Sequence, residues 1–222
     1  MDDPTLDRNE HLQALRGLAR INFVSRAASS LWPALGSLAA RSPTPLSVLD
    51  VASGSGDVLT RLIRRSRTSG LDIRFTACDI SPVALEQTRL RCPEIETIQQ
   101  DVIGGGVPGE HDVVMSSLFL HHLTNTDIVS LLRSMDAGAR TAVLISDLNR
   151  TLCGLFLAHS APRMLTRSPV VHSDAVLSAR AALTVQEASH LAAEAGLAGT
   201  TIVRRFPSRW LLIHRKSAGA SA

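Results

Sequence analysis

The chemistry-bearing residues of this chain begin in the stretch Ser47-Val-Leu-Asp-Val-Ala-Ser-Gly-Ser-Gly-Asp57. Val48, Leu49 and Val51 have the apolar, largely β-branched character of a buried parallel strand, which breaks into Ala52, Ser53, Gly54, Ser55 and Gly56. From Val58 to Arg67 apolar residues recur at Val58, Leu59, Leu62 and Ile63 between arginines, the pattern of an amphipathic helix. Strand, side-chain-poor turn and helix start make a nucleotide-type site, because small residues let a ligand reach the backbone and the helix start presents free N–H groups. The dinucleotide fingerprint G-x-G-x-x-G, started at Gly54 and Gly56, would need a third glycine at Leu59. Leucine there blocks close helix packing. Asp79 closes a second strand 25 residues beyond Gly54, where a carboxylate can accept hydrogen bonds from both ribose hydroxyls of a nucleoside, or alternatively serve as a surface or helix-capping acid.

A second informative stretch is His111-Asp-Val-Val-Met-Ser-Ser-Leu-Phe-Leu-His-His-Leu123. Val113 to Ser116 suits a central strand with Ser116, Ser117 and Leu118 at its carboxyl end, the side on which α/β sheets bind ligands. His121 and His122 are expected to open the next helix; adjacent residues diverge on a helix, so the pair does not chelate one metal as an i, i+4 pair would. Each can be a proton acceptor or a histidine that only caps or packs the helix. Asp147 and Asn149 stand at the end of a fifth strand and could hold magnesium, but the matching acid after the fourth strand is missing, so no metal is expected.

The elements that must position these residues alternate as in an α/β domain. Helical spacing over Asp7 to Arg20 and from Phe23 to Ala40, with Pro33 as a kink or break, precedes the first strand, and Arg41-Ser-Pro-Thr-Pro-Leu links into the core. Arg20 and Asn22 at the helix junction are candidates for ligand contact or ordinary polar residues at a helix end. Strands are expected over Leu71 to Cys78, Ile95 to Gln99 and Thr141 to Ser146, with helices over Val83 to Arg91, capped by Ser81 with Pro82 at its first position, and over Asp127 to Met135. Residues 151–182 change character, mixing Leu152, Leu155, Phe156, Leu157, Met164 and Leu165 with His159, Arg163, His172 and Arg180. Thr184 and Glu187 form a capping box, Gly196 ends that helix, and Thr200 to Arg205 with Arg209 to Arg215 read as a terminal hairpin.

Composition narrows the partners. At 222 residues the chain fits one α/β domain. Its net charge of +3 is too small to imply nucleic acid, and arginines 61, 64, 65 and 67 read as a solvated helix face. With 45% apolar residues but no run long enough for a bilayer, and a charged start at Asp2, Asp3, Asp7 and Arg8, a soluble cytoplasmic protein is expected. Three scattered cysteines suggest neither a disulfide framework nor a zinc site.

The series Asp50, Ala52, Gly54, Gly56 resembles motif I of the class I S-adenosylmethionine (SAM) dependent methyltransferases, with Ala52 where that family usually has its first glycine. Alanine is costly there if the backbone must be left-handed. Asp-Ile-Ser-Pro-x-Ala-Leu from Asp79 resembles motif II, Leu-His-His-Leu resembles the segment of ubiquinone-pathway-type enzymes, and parts of the carboxyl-terminal third resemble a bacterial subgroup linked to polyketide and phenolic secondary metabolites.

The resemblance implies a Rossmann-like, doubly wound, seven-stranded and mostly parallel sheet with an antiparallel carboxyl-terminal hairpin. It further implies a helical cap over 1–42, a methyltransferase domain over 43–216 with an acceptor-side insertion at 151–182, and a disordered tail at 217–222. Asp50, Ala52, Ser53, Gly54 and Gly56 would hold the methionine part of SAM, Asp79 with Ile80 the ribose end, and Asp101 with Val102 the adenine, with Ser116 completing the cofactor set. His121 matches the position of the base in plant phenol O-methyltransferases. His122, Phe156, His159, Met164 and His172 are then expected to meet a small phenolic or hydrophobic acceptor, in a monomer or homodimer. Nucleic-acid methylation is disfavoured, because Ser-Ser-Leu-Phe replaces a Pro-Pro-aromatic motif after the fourth strand and aromatic residues are only 3% of the chain. The alternatives are a non-catalytic SAM-binding protein and a nicotinamide-dependent oxidoreductase of the same fold.

Overall fold

The computed structural model describes residues 27–165 and 169–216; for residues 164, 165, 169 and 170 it describes the backbone alone. The expected helix over Asp7 to Arg20, the candidates Arg20 and Asn22, most of the amino-terminal cap and the tail lie outside the described residues.

Seven strands, β1 (Leu46–Val51), β2 (Ile73–Asp79), β3 (Glu96–Gln99), β4 (His111–Ser117), β5 (Ala139–Leu148), β6 (Thr201–Arg205) and β7 (Arg209–Arg215), form one sheet in the order β3-β2-β1-β4-β5-β7-β6. The first five are parallel, and β7 pairs antiparallel with both β5 and β6. This is the expected mostly parallel sheet with its terminal hairpin. The strand order reverses between β1 and β4, so their carboxyl ends open the crevice in which sheets of this kind take ligands.

Helices α1 (Ala27–Ala39), α2 (Asp57–Thr68) and α3 (Pro82–Arg91) precede β3, while α4 (Asn125–Gly138) joins β4 to β5. Between β5 and β6 lie α5 (Leu152–Leu165), α6 (Pro169–Ala181) and α7 (Val185–Glu194). Side chains alternate across the strands. Val48, Val113, Met115, Leu144 and Leu211 pack with Leu31, Leu35, Leu59 and Leu62 of α1 and α2. Leu49, Val51, Val114, Val143, Ile145 and Trp210 pack on the other face with Ile128, Leu131, Met135 and Leu191 of α4 and α7. Burial on both faces explains why β5 reads as a continuous apolar run.

Local signals set most boundaries. The Ser81 hydroxyl accepts from the Ala84 N–H at 3.2 Å with Pro82 at the first helical position, and the Thr184–Glu187 capping box is complete at α7. Two expectations need correcting. Pro33 neither ends nor breaks α1, which runs through it as one element. The histidine pair does not open α4: Leu120–His122 form a single 3-10 turn, and α4 starts at Asn125 because the Thr124 hydroxyl accepts from the Asp127 N–H. In that turn the two imidazoles face each other instead of diverging, with ring centroids 4.2 Å apart.

Candidate active site

The turn after β1 sets the geometry of the crevice. Ala52 has φ 55°, Gly54 58° and Gly56 71°, so the backbone is left-handed at all three alternate positions. Alanine at the first therefore carries the strain that glycine would not. The turn is tied down from β2 and α3. The Gly54 N–H donates to Asp79 Oδ2 at 2.7 Å, Thr88 donates to the Gly54 carbonyl at 3.0 Å, and Arg91 donates to the Ser55 carbonyl and hydroxyl at 2.8 Å. A Cβ on Gly56 would lie 2.9 Å from the Thr88 side chain, so close packing as well as φ demands glycine there.

Asp79 also accepts from the Ser81 N–H at 2.9 Å, and its half-buried carboxylate sits at the carboxyl end of β2 as expected. A carboxylate accepts at about four lone-pair sites, which suits hydroxyl donors as well as backbone N–H groups. Beside it, Ile80 is 63% exposed, an apolar side chain that core packing has not claimed. Asp101 is exposed after β3, its carboxylate accepting from the Ile103 N–H at 2.9 Å, while Val102 next to it is buried. Ser116 needs correcting as a ligand contact: it is fully buried and its hydroxyl donates to the Val51 carbonyl at 2.9 Å, bracing β4 on β1. The crevice-facing place falls to the half-buried Ser117 and to Leu118, which is left-handed at φ 59° and donates its N–H to the Ser146 carbonyl of β5.

Behind the turn lies a concentration of buried polar atoms. Asp50 is 1% exposed and, among the described residues, neither carboxyl oxygen has a hydrogen-bond partner; the same holds for Ser53 Oγ and Asp57 Oδ2. Burial, reinforced by the charges of Asp57 and Asp79, raises the Asp50 carboxyl well above the usual range. Burial likewise lifts Cys78 to about 11. On β7, burial brings Arg209 down to about 10 against the opposing pull of Asp147 and Asp57. Orphaned carboxyl oxygens suit the ammonium of an amino-acid moiety, and an exposed apolar residue beside an acid suits a nucleoside, so the residues present fit SAM.

Across the crevice, His121 is 8% exposed and its Nδ1 lies 2.6 Å from Oδ1 of Asp147, whose Oδ2 accepts from the His121 N–H at 3.3 Å. The Leu148 N–H also donates to Asp147 at 2.6 Å. Although burial alone would raise the Asp147 carboxyl, the facing imidazole, the Leu148 N–H and the charge of Arg209 hold it below the usual range. Sequence reasoning weighed Asp147 only as a metal ligand. Its place at the end of a strand neighbouring His121's was the signal that could have paired the two. Asp57 and Arg209 were also missed.

The 151–182 segment forms α5 and α6 packed on each other, and α6 packs on the turn that carries His121. His172 is half-buried on α6, whereas Phe156 is 71% exposed and His159 is exposed on α5. Met164 lies on α5, where the backbone alone is described. No helix among the described residues is long and apolar enough to cross a membrane. A cleft at the opposite, amino-terminal edge of the sheet, lined by Arg67, Arg74, Glu96, Glu110 and Arg140, holds none of the crevice residues.

Comparison with known proteins agrees with this geometry. Residues 48–141 match the model of a methyltransferase domain family. Over 93 residues, 40% of the chain, there is 31% identity to a non-reducing polyketide synthase of Penicillium shearii, of which the match covers 4%. Human N-acetylserotonin methyltransferase in complex with SAM aligns with a TM-score of 0.68 at 16% identity, over 95% of this chain and 57% of that one. The plantazolicin methyltransferase BpumL in complex with SAH gives 0.68 at 17%, over 97% and 92%. Magnesium protoporphyrin IX methyltransferase from Synechocystis PCC 6803 with bound SAH gives 0.59 at 16%, over 87% and 83%. The glycine turn and β4 lie inside the segment that matches the methyltransferase domain family, and the sheet around them has the fold of these methyltransferase structures.

Proposed function

We propose that the protein methylates a small hydroxylated acceptor, phenolic or otherwise hydrophobic, on oxygen. The observation that carries this reading is the buried His121–Asp147 pair at the carboxyl edge of the sheet. A neutral imidazole that donates its Nδ1 hydrogen to a carboxylate presents Nε2 as a proton acceptor, the group needed to turn a hydroxyl into a nucleophile. SAM supplies a methyl group already activated by its sulfonium. The chain then has to bind, align and keep water out, with the glycine turn and Asp50 receiving the methionine end, Asp79 and Ile80 the ribose end, and Asp101 with Val102 the adenine. His122, from the turn, and His172, from the helix over it, are the acceptor contacts this arrangement favours, and residues 151–182 serve as the acceptor-side cover. The dyad also favours catalysis over a purely binding role, since binding alone needs no oriented base.

The test is transfer of labelled methyl from SAM to a panel of phenols by wild type and by His121→Asn, with SAM affinity measured by titration on both and on Asp79→Ala. Labelled methyl ethers formed by wild type and largely lost in His121→Asn, at unchanged SAM affinity, support the reading. Label on carbon of the acceptor would replace O-methylation by C-methylation at the same base. SAM binding with no transfer would leave a binding protein, and NADH binding in place of SAM would favour the oxidoreductase alternative.

A further inference from the structure

The carboxyl of Asp50 stands out among the polar groups of the crevice. It is 1% exposed at the end of β1, on the face that packs under α2, and no donor among the described residues reaches either oxygen. Its charged neighbours have the wrong sign: Asp57, on the first turn of α2, with Oδ2 also buried and unbonded, and Asp79 on β2, with the Cys78 thiol beside it. The buried Arg209 on β7 acts on Asp57 and Asp147. A carboxylate without donors, out of water and next to two other acids is strongly disfavoured relative to its protonated form. The remedy is a cation delivered to the same spot. The reading of the site as a SAM site, on which this inference rests, supplies one at the amino-acid end of the cofactor.

We propose that the unliganded protein holds a proton on Asp50, and that the α-ammonium of the cofactor takes its place, so that cofactor binding expels a proton to solvent. The balance is simple: a carboxylic acid and an ammonium become a carboxylate–ammonium pair, and the proton goes to buffer. Asp57 makes the exchange more complete, because its charge keeps Asp50 protonated beforehand and attracts the ammonium that replaces the proton. The amino-acid end of the ligand, and not its nucleoside or its sulfonium, controls the release.

Titration calorimetry at pH 6.5, where an α-amino group is charged, separates these parts when run in phosphate and in Bis-Tris, whose ionisation enthalpies differ. SAM and S-adenosylhomocysteine, which share the α-ammonium, should each release up to about one proton per molecule bound, whereas 5′-methylthioadenosine, which lacks the amino-acid end, should release none. Asp50→Asn should abolish the buffer dependence for both full ligands. Asp57→Asn, which keeps Asp50, should reduce it, and serves as the second variant if Asp50→Asn does not fold. Binding of SAM with the same enthalpy in both buffers overturns the proposal while leaving the cofactor reading intact. So does equal proton release by methylthioadenosine. No binding by any of the three ligands overturns both.

Discussion

His121 and Asp147 come from different segments, the turn after β4 and the end of β5, yet their side chains meet at 2.6 Å with less than a twentieth of either exposed. The carboxylate accepts from three N–H groups of its surroundings, two of them from His121 itself, so the imidazole is fixed in both orientation and tautomer. If this pair takes the acceptor's proton, His121→Asn should lower kcat about 10²–10⁴-fold, the usual worth of a positioned general base, with SAM affinity unchanged. Asp147→Asn should lower kcat less, because the imidazole remains but its tautomer is no longer imposed. Steady-state kinetics paired with SAM titration distinguishes these outcomes from a general loss of structure, which would weaken both.

Ala52 offers a stabilising substitution. Its φ of 55° costs a residue with a Cβ roughly 1–2 kcal/mol, whereas glycine is at ease there but loses roughly 0.5–1 kcal/mol more chain entropy on folding. Ala52→Gly should therefore stabilise the protein by roughly 0.5–1 kcal/mol and raise Tm by about 2 °C for a chain of this size. Thermal melting of the two proteins checks it. A lower Tm would mean that the methyl group of Ala52 packs more favourably than the strain costs.

The same residue marks what the sequence could and could not disclose. Asp50, Ala52, Gly54 and Gly56 announce the turn because its spacing depends on local backbone geometry, and the capping signals at Ser81 and Thr184 place their helices for the same reason. The partner of His121 was not legible, because 26 residues and a whole helix separate it from Asp147 and only the parallel pairing of β4 with β5 brings them together. Ser116 failed for a related reason. Which face of a strand a residue occupies is clear when the strand alternates, but β4 is apolar on both faces and its serine hydroxyl points inward to Val51. Arg209 gave no warning at all, since an arginine at the start of an edge-proximal hairpin reads as solvated, yet it is buried against the crevice acids.

Gly56 responds in the opposite direction to Ala52. At φ 71°, with Thr88 Cγ2 and Oγ1 both 2.9 Å from where a Cβ would stand, Gly56→Ala meets backbone strain and a clash together. Thr88 cannot simply turn away, because its hydroxyl holds the Gly54 carbonyl. The expected cost is about 1–2 kcal/mol for the backbone and about 1–3 kcal/mol for the overpacking. Combining Gly56→Ala with Thr88→Ala should recover the second part and not the first. Urea denaturation of the two single variants and the double variant closes the cycle, and simple additivity would show that Thr88 is not the obstacle.

Acid stability should depend on a second aspartate, at the amino-terminal edge of the sheet. Asp112 accepts from the N–H and hydroxyl of Ser47 at 2.8 and 2.7 Å and from Arg140 Nε at 3.1 Å, joining β1, β4 and β5 where the strands begin. Partial burial works against its charge, but the Ser47 donors and Arg140 outweigh it and hold the carboxyl below its ordinary value. A group depressed on folding binds fewer protons in the native than in the unfolded state. Its contribution is therefore fully present above the unfolded value of about 3.9 and is lost as pH falls through the folded one. Asp112→Asn should flatten the fall of Tm below about pH 4 and lower Tm at neutral pH. Asp50 has the opposite sign: raised on folding, it costs stability as pH climbs above its unfolded value, so Asp50→Asn should raise Tm more at pH 8 than at pH 4. Melting both variants against wild type between pH 3 and pH 8 tests the two signs at once. Parallel curves for all three proteins would mean that neither carboxyl changes its proton affinity on folding.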